Sequence, residues 1–216
     1  MRDQTRLFAI LGLACVAGAA VAGNPTLILD DFDADPNDDA GGPRVLSTSI
    51  LGDPFGQGSN FDVDTDLMID GDQGAAIFNS GIGVAQEGTI RWDNGGAGLS
   101  LDAGALGIIG FELDFAAIDQ DFSYIFRLTD GNGETLGASG DFLAGGARTE
   151  SIALASFESS AAFDVSDVDA VEIIFNVRGQ TESLDFALTE FRAVVPTPGS
   201  AVLIGVGGLL AMRRRR

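Results

Sequence analysis

Carboxylate side chains are concentrated in one short stretch near the start of the chain. The run DDFDADPNDD places Asp31, Asp33 and Asp35 at alternate positions, and further oxygen donors follow at Asn37, Asp38 and Asp39. Several hard oxygen donors in a flexible loop are the ligands that calcium prefers. The loop is not an EF-hand, because Pro36 stands where that motif needs its glycine. The run is therefore compatible with a solvated acidic loop and with a structural calcium site.

A second acidic run has a different pattern. Asp62, Asp64 and Asp66 alternate with other residues, so they would share one face if this segment is a strand. A set of ligands at a sheet edge and a solvated polar face are both compatible with this spacing.

The residues of most catalytic sites are missing from this sequence. It contains no histidine and no lysine, and its one cysteine is Cys15. Catalytic triads with histidine, Ser-Lys pairs and histidine-bearing zinc sites are therefore excluded. A glycosidase with two carboxylates is formally possible, but among so many acidic residues some pair will lie close by chance. The sequence predicts a protein that is not an enzyme.

Trp92 is the candidate for binding a sugar ring. It is the only tryptophan, and it lies at the end of a predicted strand beside the turn Asp93–Gly96. A tryptophan exposed there could stack on a saccharide. The alternative is that Trp92 packs in the core or at its rim, as the fifteen phenylalanines of this chain are expected to do.

The charge of the chain excludes two classes of partner. The two ends carry six of the twelve arginines and one of the thirty-two carboxylates, so residues 23–194 have a formal charge of −25. Nucleic acid and anionic lipid would repel such a body. A solubilising acidic surface is sufficient to explain this charge.

The N-terminal segment has the pattern of a secretory signal peptide. Arg2 and Arg6 precede the apolar stretch Leu7–Val16, and small residues at Ala20 and Ala22 form a cleavage site. Cleavage would leave Gly23 as the first residue of the mature protein. The mature protein would then contain no cysteine and no disulfide.

The C-terminal segment combines three features in a fixed order. Pro196 and Pro198 end strand pairing, the uncharged run Ala201–Met212 can enter a bilayer as a hydrophobic helix, and Arg213–Arg216 would remain on the cytoplasmic side. About nineteen residues, counted from Val194, can cross a bilayer with some local thinning. An ordinary membrane anchor is one interpretation of this segment.

This tail resembles the PEP-CTERM sorting signal, which an exosortase recognises in bacteria that make surface polysaccharide. The resemblance covers residues 195–216. It is carried by the following residues: Pro196, Thr197, Pro198, Gly199, Arg213, Arg214, Arg215 and Arg216. Thr197 departs from the pattern, because glutamate usually occupies that position. The resemblance implies export, an exosortase-type partner and a transient anchor in the inner membrane.

The body between the two signals is predicted to be all-β. Short runs in which apolar and polar residues alternate are separated by clusters of glycine, aspartate and asparagine. The runs 75–79 and 88–93 suggest one hairpin, the run 106–115 suggests a long strand, and the runs 122–129 and 134–138 suggest a second hairpin around Asp130–Gly133. In the run 184–194 the alternation slips near Thr189, which predicts a bulge. About ten strands without crossover helices predict two antiparallel sheets packed face to face.

The first and last strands of the body resemble those of galactose-binding-like and carbohydrate-binding-module-like jelly rolls. The resemblance is carried by Leu29–Phe32 and by the ending 163–194, which contains the turn Val168–Val171. It implies a jelly roll whose first and last strands are adjacent, whereas an immunoglobulin-like sandwich is the alternative fold. The predicted domains are a signal peptide (1–22), a β-sandwich (23–194) and a sorting signal (195–216). The predicted protein is exported to the cell surface or extracellular polysaccharide matrix and has a structural or adhesive role, with carbohydrate binding as the alternative.

Overall fold

The protein is built almost entirely from β-strands. The computed structural model describes residues 26–33, 39–65, 74–158 and 160–195. In these ranges the strands are β1 (Thr26–Asp30), β2 (Arg44–Gly52), β3 (Ser59–Asp64), β4 (Ala75–Ser80), β5 (Ala85–Trp92), β6 (Gly110–Ile118), β7 (Phe122–Asp130), β8 (Thr135–Phe142), β9 (Arg148–Ala153), β10 (Val168–Phe175) and β11 (Asp185–Val194). One short helix, α1 (Ala103–Leu106), precedes β6.

The strands form two antiparallel sheets. The six-stranded sheet has the order β3-β4-β11-β6-β9, and β1 also pairs with β11. The five-stranded sheet has the order β2-β5-β10-β7-β8. This arrangement is a β-sandwich, as the alternating sequence predicts, and it has the jelly-roll form that the resemblance implies. The first and last strands are adjacent, with Thr26 opposite Val194 and Leu27 opposite Ala193.

Phenylalanine rings fill the space between the sheets. Phe186 of β11 stacks on Phe78 of β4 at a centroid distance of 4.9 Å and contacts Phe122 of β7 at 5.1 Å. Phe111 of β6 contacts Phe126 of β7 at 4.8 Å in the same way. The contacts with Phe122 and Phe126 of β7 join strands of opposite sheets, so the inward positions of the alternating strands form one continuous core.

Two local predictions in the second half of the chain are confirmed. β7 and β8 pair as a hairpin, with Phe126 opposite Ala138 and Thr129 opposite Thr135. In β11 the register with β6 shifts on both sides of Leu188, beside Thr189. A slip in the apolar alternation therefore marked a real bulge.

Two other local predictions are wrong. β4 and β5 are not a hairpin, because β4 pairs with β3 and β11 whereas β5 pairs with β2 and β10. The short connection Gly81–Val84 instead passes from one sheet to the other. The predicted strand over 106–115 begins only at Gly110, because Asp102 caps α1 by accepting the amide of Ala105 at 2.7 Å.

Several predicted features lie outside the described residues. They are the signal-peptide cleavage site (Ala20, Ala22 and Gly23), the sorting motif, and the aspartates Asp35, Asp38 and Asp66. None of the helices in the described part of the chain has the length and apolar character needed to cross a membrane.

Candidate functional site

The acidic loop after β1 brings three carboxylates together. Oxygen atoms of Asp30, Asp31 and Asp39 all lie within 4.8 Å of one another. The chain returns along β1, because the amides of Ala40 and Gly41 donate to the carbonyls of Ile28 and Leu29 at 3.2 and 3.0 Å. This return places Asp39 beside the end of β1.

Only part of the predicted calcium ligand set is in this cluster. Asp31 belongs to it, whereas Asp33 does not, although its amide donates to Asp31 Oδ1 at 3.1 Å. Asp39 is among the oxygen donors that the sequence offers for calcium, whereas Asp30 was not predicted as a ligand, although it belongs to the same acidic run. The available signal was the density of acidic residues in the run, and Asp35 and Asp38 of the predicted set lie outside the described residues.

The charges in this cluster favour a bound cation. The pKa of Asp39 is raised to about 6, chiefly by burial and also by the neighbouring charges of Asp31, Asp30 and Asp33, against the lowering effect of the Asp31 amide. A divalent cation would offset this repulsion, and hard carboxylate oxygens are suitable calcium ligands. The residues present therefore fit calcium at Asp31 and Asp39.

Asp30 has a different role from its two neighbours. It is fully buried, and its Oδ1 accepts Arg44 Nη1 at 2.6 Å and the amide of Phe32 at 2.8 Å. Its Oδ2 accepts the indole N–H of Trp92 at 2.6 Å. Burial raises the pKa of Asp30, and the charge of Arg44 opposes that increase. Asp30 is thus engaged inside the protein and anchors the base of the acidic loop.

The assignment of Trp92 as a platform for sugars is wrong. Its side chain has no exposed surface, and its ring packs on Phe191 at a centroid distance of 4.6 Å. A ring between two sheets cannot stack on a ligand. The alternative, that Trp92 is a packing residue, is correct, and the inward positions of Gly88 and Ile90 in the same strand already indicate it.

Two aspartates of the second acidic run lie on an edge strand, β3. Asp62 and Asp64 are both exposed on β3, which pairs only with β4 among the described strands. They share one face, and the remaining aspartate of the predicted set is outside the described residues.

A charged row crosses the outer face of the five-stranded sheet. Arg127 of β7 donates to Glu172 of β10 at 2.5 Å, and Arg91 of β5 lies 3.8 Å from the other oxygen of Glu172. These three residues are direct cross-strand neighbours. Arg91 also donates to Asp93 at 2.8 Å. Two guanidinium groups and a carboxylate are therefore held in line across the three central strands.

An apolar row lies beside the charged row. Ile125, Ile174 and Thr89 are cross-strand neighbours on the same three strands, two residues away from the charged row. Two residues along a strand correspond to about 7 Å. Both isoleucines are partly exposed. This outer face thus presents hydrogen-bonding groups and apolar surface side by side, about 7 Å apart.

Comparisons with known proteins support the fold. No protein-family profile matches the sequence, and no curated protein matches it significantly. The structure is similar to a family 11 carbohydrate-binding module from Clostridium thermocellum, solved in complex with a β-1,3-1,4-mixed-linked tetrasaccharide, with a TM-score of 0.50 and 12% identity over 81% of this chain and 98% of that one. It is also similar to part of an agarase, with a TM-score of 0.51 and 12% identity over 80% of this chain and 25% of that one. At these identities the similarity shows a shared jelly-roll fold.

Proposed function

We propose that this chain is an exported, non-catalytic surface protein whose β-sandwich binds polysaccharide on the outer face of the five-stranded sheet. The observation that supports this proposal is the charged row Arg127–Glu172–Arg91, which lies beside the apolar row Ile125–Ile174–Thr89. A pyranose has hydroxyl groups around its rim and C–H groups on its faces. The charged row offers fixed donors and an acceptor for the hydroxyls, and the isoleucines offer apolar contact.

The open shape of this face suits a polymer. A sheet surface places its residues in rows that an extended chain can follow, whereas a closed pocket suits a small molecule. The two structures with the same fold support this choice, because one is a carbohydrate-binding module solved with a tetrasaccharide and the other is an agarase.

A non-catalytic role is supported by the chemistry of the chain. Histidine and lysine are absent from the sequence. On the outer face of the other sheet, Glu112, Asp114 and Glu190 cluster around Arg192, which donates to all three. One guanidinium thus engages all three carboxylates of this cluster.

The proposed route to the surface rests on the two ends of the sequence. The signal peptide would direct export, and an exosortase-type enzyme would process the tail at Pro196–Gly199 after transient anchoring in the inner membrane. Replacing Arg213–Arg216 with serine and following the protein by cell fractionation tests this route. Unchanged sorting would argue against the tail signal.

Binding of the chain to polysaccharides tests the main proposal. Affinity electrophoresis with mixed-linkage β-glucan and agarose should show retardation of the native protein. Arg127→Ala and Glu172→Gln should weaken it at least about tenfold, because a hydrogen bond to a charged group contributes roughly 1.5–3 kcal/mol.

The matched control is Arg148→Ala, on the edge strand β9 of the other sheet, where Arg148 pairs only with Glu150 among the ion pairs of the described residues. It should bind as the native protein does. Equal loss in the control, or no retardation of the native protein by any polysaccharide, would overturn the proposal.

A further inference from the structure

A groove of about 970 Å³ opens at one end of the sandwich. Four connections form it: the loop after β2, the turn between β4 and β5, the turn between β6 and β7, and the loop between β10 and β11. Its main lining residues are Phe55, Ile82, Gln120, Asp121, Thr181 and Glu182. The backbone of Glu182 pairs with Ala85, at the start of β5, in an isolated β-bridge. Arg91 is six residues further along that strand. The groove is thus roughly 20 Å from the charged row.

Two apolar side chains are unusually exposed in this groove. Ile82 is 74% exposed and Phe55 is 68% exposed, the highest values among the large apolar residues of the described chain. The other thirteen phenylalanines in that part are all buried. A single exposed apolar residue needs no explanation, but two in one groove mark a binding surface.

The ring of Phe55 is held in place by its loop. Asp53 accepts the amides of Gln57 and Gly58 at 2.8 and 2.9 Å, and these bonds lower its pKa. The ring lies against Gly83, since a Cβ added there would be 3.0 Å from the ring carbon Cε2. One side of the ring is therefore supported while most of its surface remains open.

The opposite wall is fixed by bonds between the loops. Gln120 Nε2 donates to the carbonyls of Glu182 and Ser183 at 3.0 and 2.8 Å. Thr181 Oγ1 donates to the carbonyl of Asp121 at 2.8 Å, and Ser183 Oγ accepts the amide of Gly83 at 2.7 Å. The exposed groups thus stand on connected loops, and such preorganisation reduces the entropy lost when a ligand binds.

The polar groups of the groove indicate the charge of its ligand. Asp121 and Glu182 provide exposed carboxylates, whereas no arginine lines the groove in the described part of the chain. A carboxylate accepts hydrogen bonds from hydroxyl or amino groups and repels a uronate or sulfate. The volume is near the upper end of typical ligand sites, roughly 300–1,000 Å³, and therefore suits several sugar rings.

We propose that this groove is a second saccharide site, separate from the sheet face, that binds neutral or amino sugars with one ring stacked on Phe55. The hydroxyl or amino groups of the sugar donate to Asp121 and Glu182, and Ile82 extends the apolar contact.

Titration calorimetry with defined tetrasaccharides tests this site. The probes are mixed-linkage glucotetraose as the neutral ligand, tetraglucosamine as the cationic ligand and tetragalacturonate as the anionic ligand. The native protein should bind the first two. Phe55→Ala should weaken that binding at least about tenfold, and Phe55→Trp should retain it. Asp121→Asn combined with Glu182→Gln should remove the preference against tetragalacturonate.

Two controls separate this site from the sheet face. Leu143→Ala removes an apolar side chain that is 55% exposed in the loop after β8, and it should leave binding unchanged. Arg127→Ala should weaken retardation by polysaccharide but leave the Phe55-dependent binding intact. Equal binding by the native protein and by Phe55→Ala would overturn the proposal of a second site. So would a failure to bind any tetrasaccharide, or a groove that binds only a protein. These outcomes do not depend on what the sheet face binds.

Discussion

Trp92 donates its indole N–H to Oδ2 of Asp30 across 2.6 Å, and neither side chain has exposed surface. Trp92 belongs to the five-stranded sheet, whereas Asp30 ends β1 of the six-stranded sheet. The other oxygen of Asp30 accepts Arg44 of β2. One buried carboxylate thus connects both sheets beneath the acidic loop.

Replacing Trp92 with phenylalanine should destabilise the sandwich. The variant removes the indole N–H and leaves one oxygen of a buried carboxylate without that donor, which costs about 1.5–3 kcal/mol. Urea unfolding measures the change in the free energy of unfolding. Polysaccharide retardation should be unchanged, since Trp92 is buried.

A double-mutant cycle identifies the cause of that loss. In an Asp30→Asn background the cost of Trp92→Phe should be smaller, because the charged acceptor is gone. An equal cost in both backgrounds would attribute the loss to ring packing on Phe191 alone.

Calcium should stabilise the protein through Asp31 and Asp39. A cation that binds only the folded chain adds about 2.7 kcal/mol at one hundred times its Kd. Excess chelator should therefore lower the Tm measured by differential scanning calorimetry, and added calcium should restore it. Asp31→Asn and Asp39→Asn should lose this response, whereas Asp64→Asn on the edge strand should keep it. An identical Tm with calcium and with chelator would leave the acidic loop as a solvated one.

Strands with one buried and one exposed face could be predicted from the sequence. In β7 the alternation from Phe122 to Asp130 is a local property, and the structure keeps it. The bulge beside Thr189 was predictable for the same reason, because a slip in the alternation shifts side chains to the other face. The alternation does not show which strands pair with each other. β4 and β5 are close in sequence, but the turn between them crosses from one sheet to the other.

The groove could not be predicted, because its walls are far apart in the chain. Gly83 and Ser183 are one hundred residues apart and join through one hydrogen bond. Phe55 has no local feature that separates it from the buried phenylalanines, apart from its glycine-rich loop. The acidic cluster was partly predictable because its members belong to one run. Which aspartates join the cluster depends on the return of the loop along β1, and the spacing of residues in the sequence does not show that return.

The carboxylate of Asp130 should make stability depend on pH. It accepts the amides of Asn132, Glu134 and Asp164 at 2.8–2.9 Å, and these bonds lower its pKa from 3.8. The ionised form is therefore favoured in the folded state. The contribution of Asp130 to the free energy of unfolding is fully present above pH 3.8. It is lost as the pH falls through the pKa of Asp130 in the folded state, which is lower than 3.8.

Substitution at this position tests the dependence. Asp130→Asn should lower the Tm at pH 7, and the difference from the native protein should narrow at pH 3. Asp141→Asn, at an exposed position of β8, is the control and should show little difference at either pH. If the difference in Tm between Asp130→Asn and the native protein is the same at pH 7 and pH 3, the charge of Asp130 is not the cause of that difference.

Arg192 should be the most important surface cation for stability. It donates to Glu112 at 2.9 Å, to Glu190 at 2.6 Å and to Asp114, with 16% of its side chain exposed. The three carboxylates raise its pKa against the effect of burial. Arg192→Met would leave the three carboxylates facing one another. The free energy of unfolding should fall by about 1–3 kcal/mol, which lies between the losses expected for exposed and for buried ion pairs.

Salt and a conservative variant separate charge from packing at Arg192. Because the pairs are partly exposed, 0.5 M sodium chloride should reduce the loss in Arg192→Met. Arg192→Lys should recover only part of the stability, since an ammonium group cannot form the planar contacts that reach three carboxylates. Arg148→Met, which removes a pair with a single carboxylate on the edge strand β9, should change the free energy of unfolding by less than about 1 kcal/mol. Equal losses at Arg192 and Arg148, insensitive to salt, would show that packing rather than charge governs this face of the sheet.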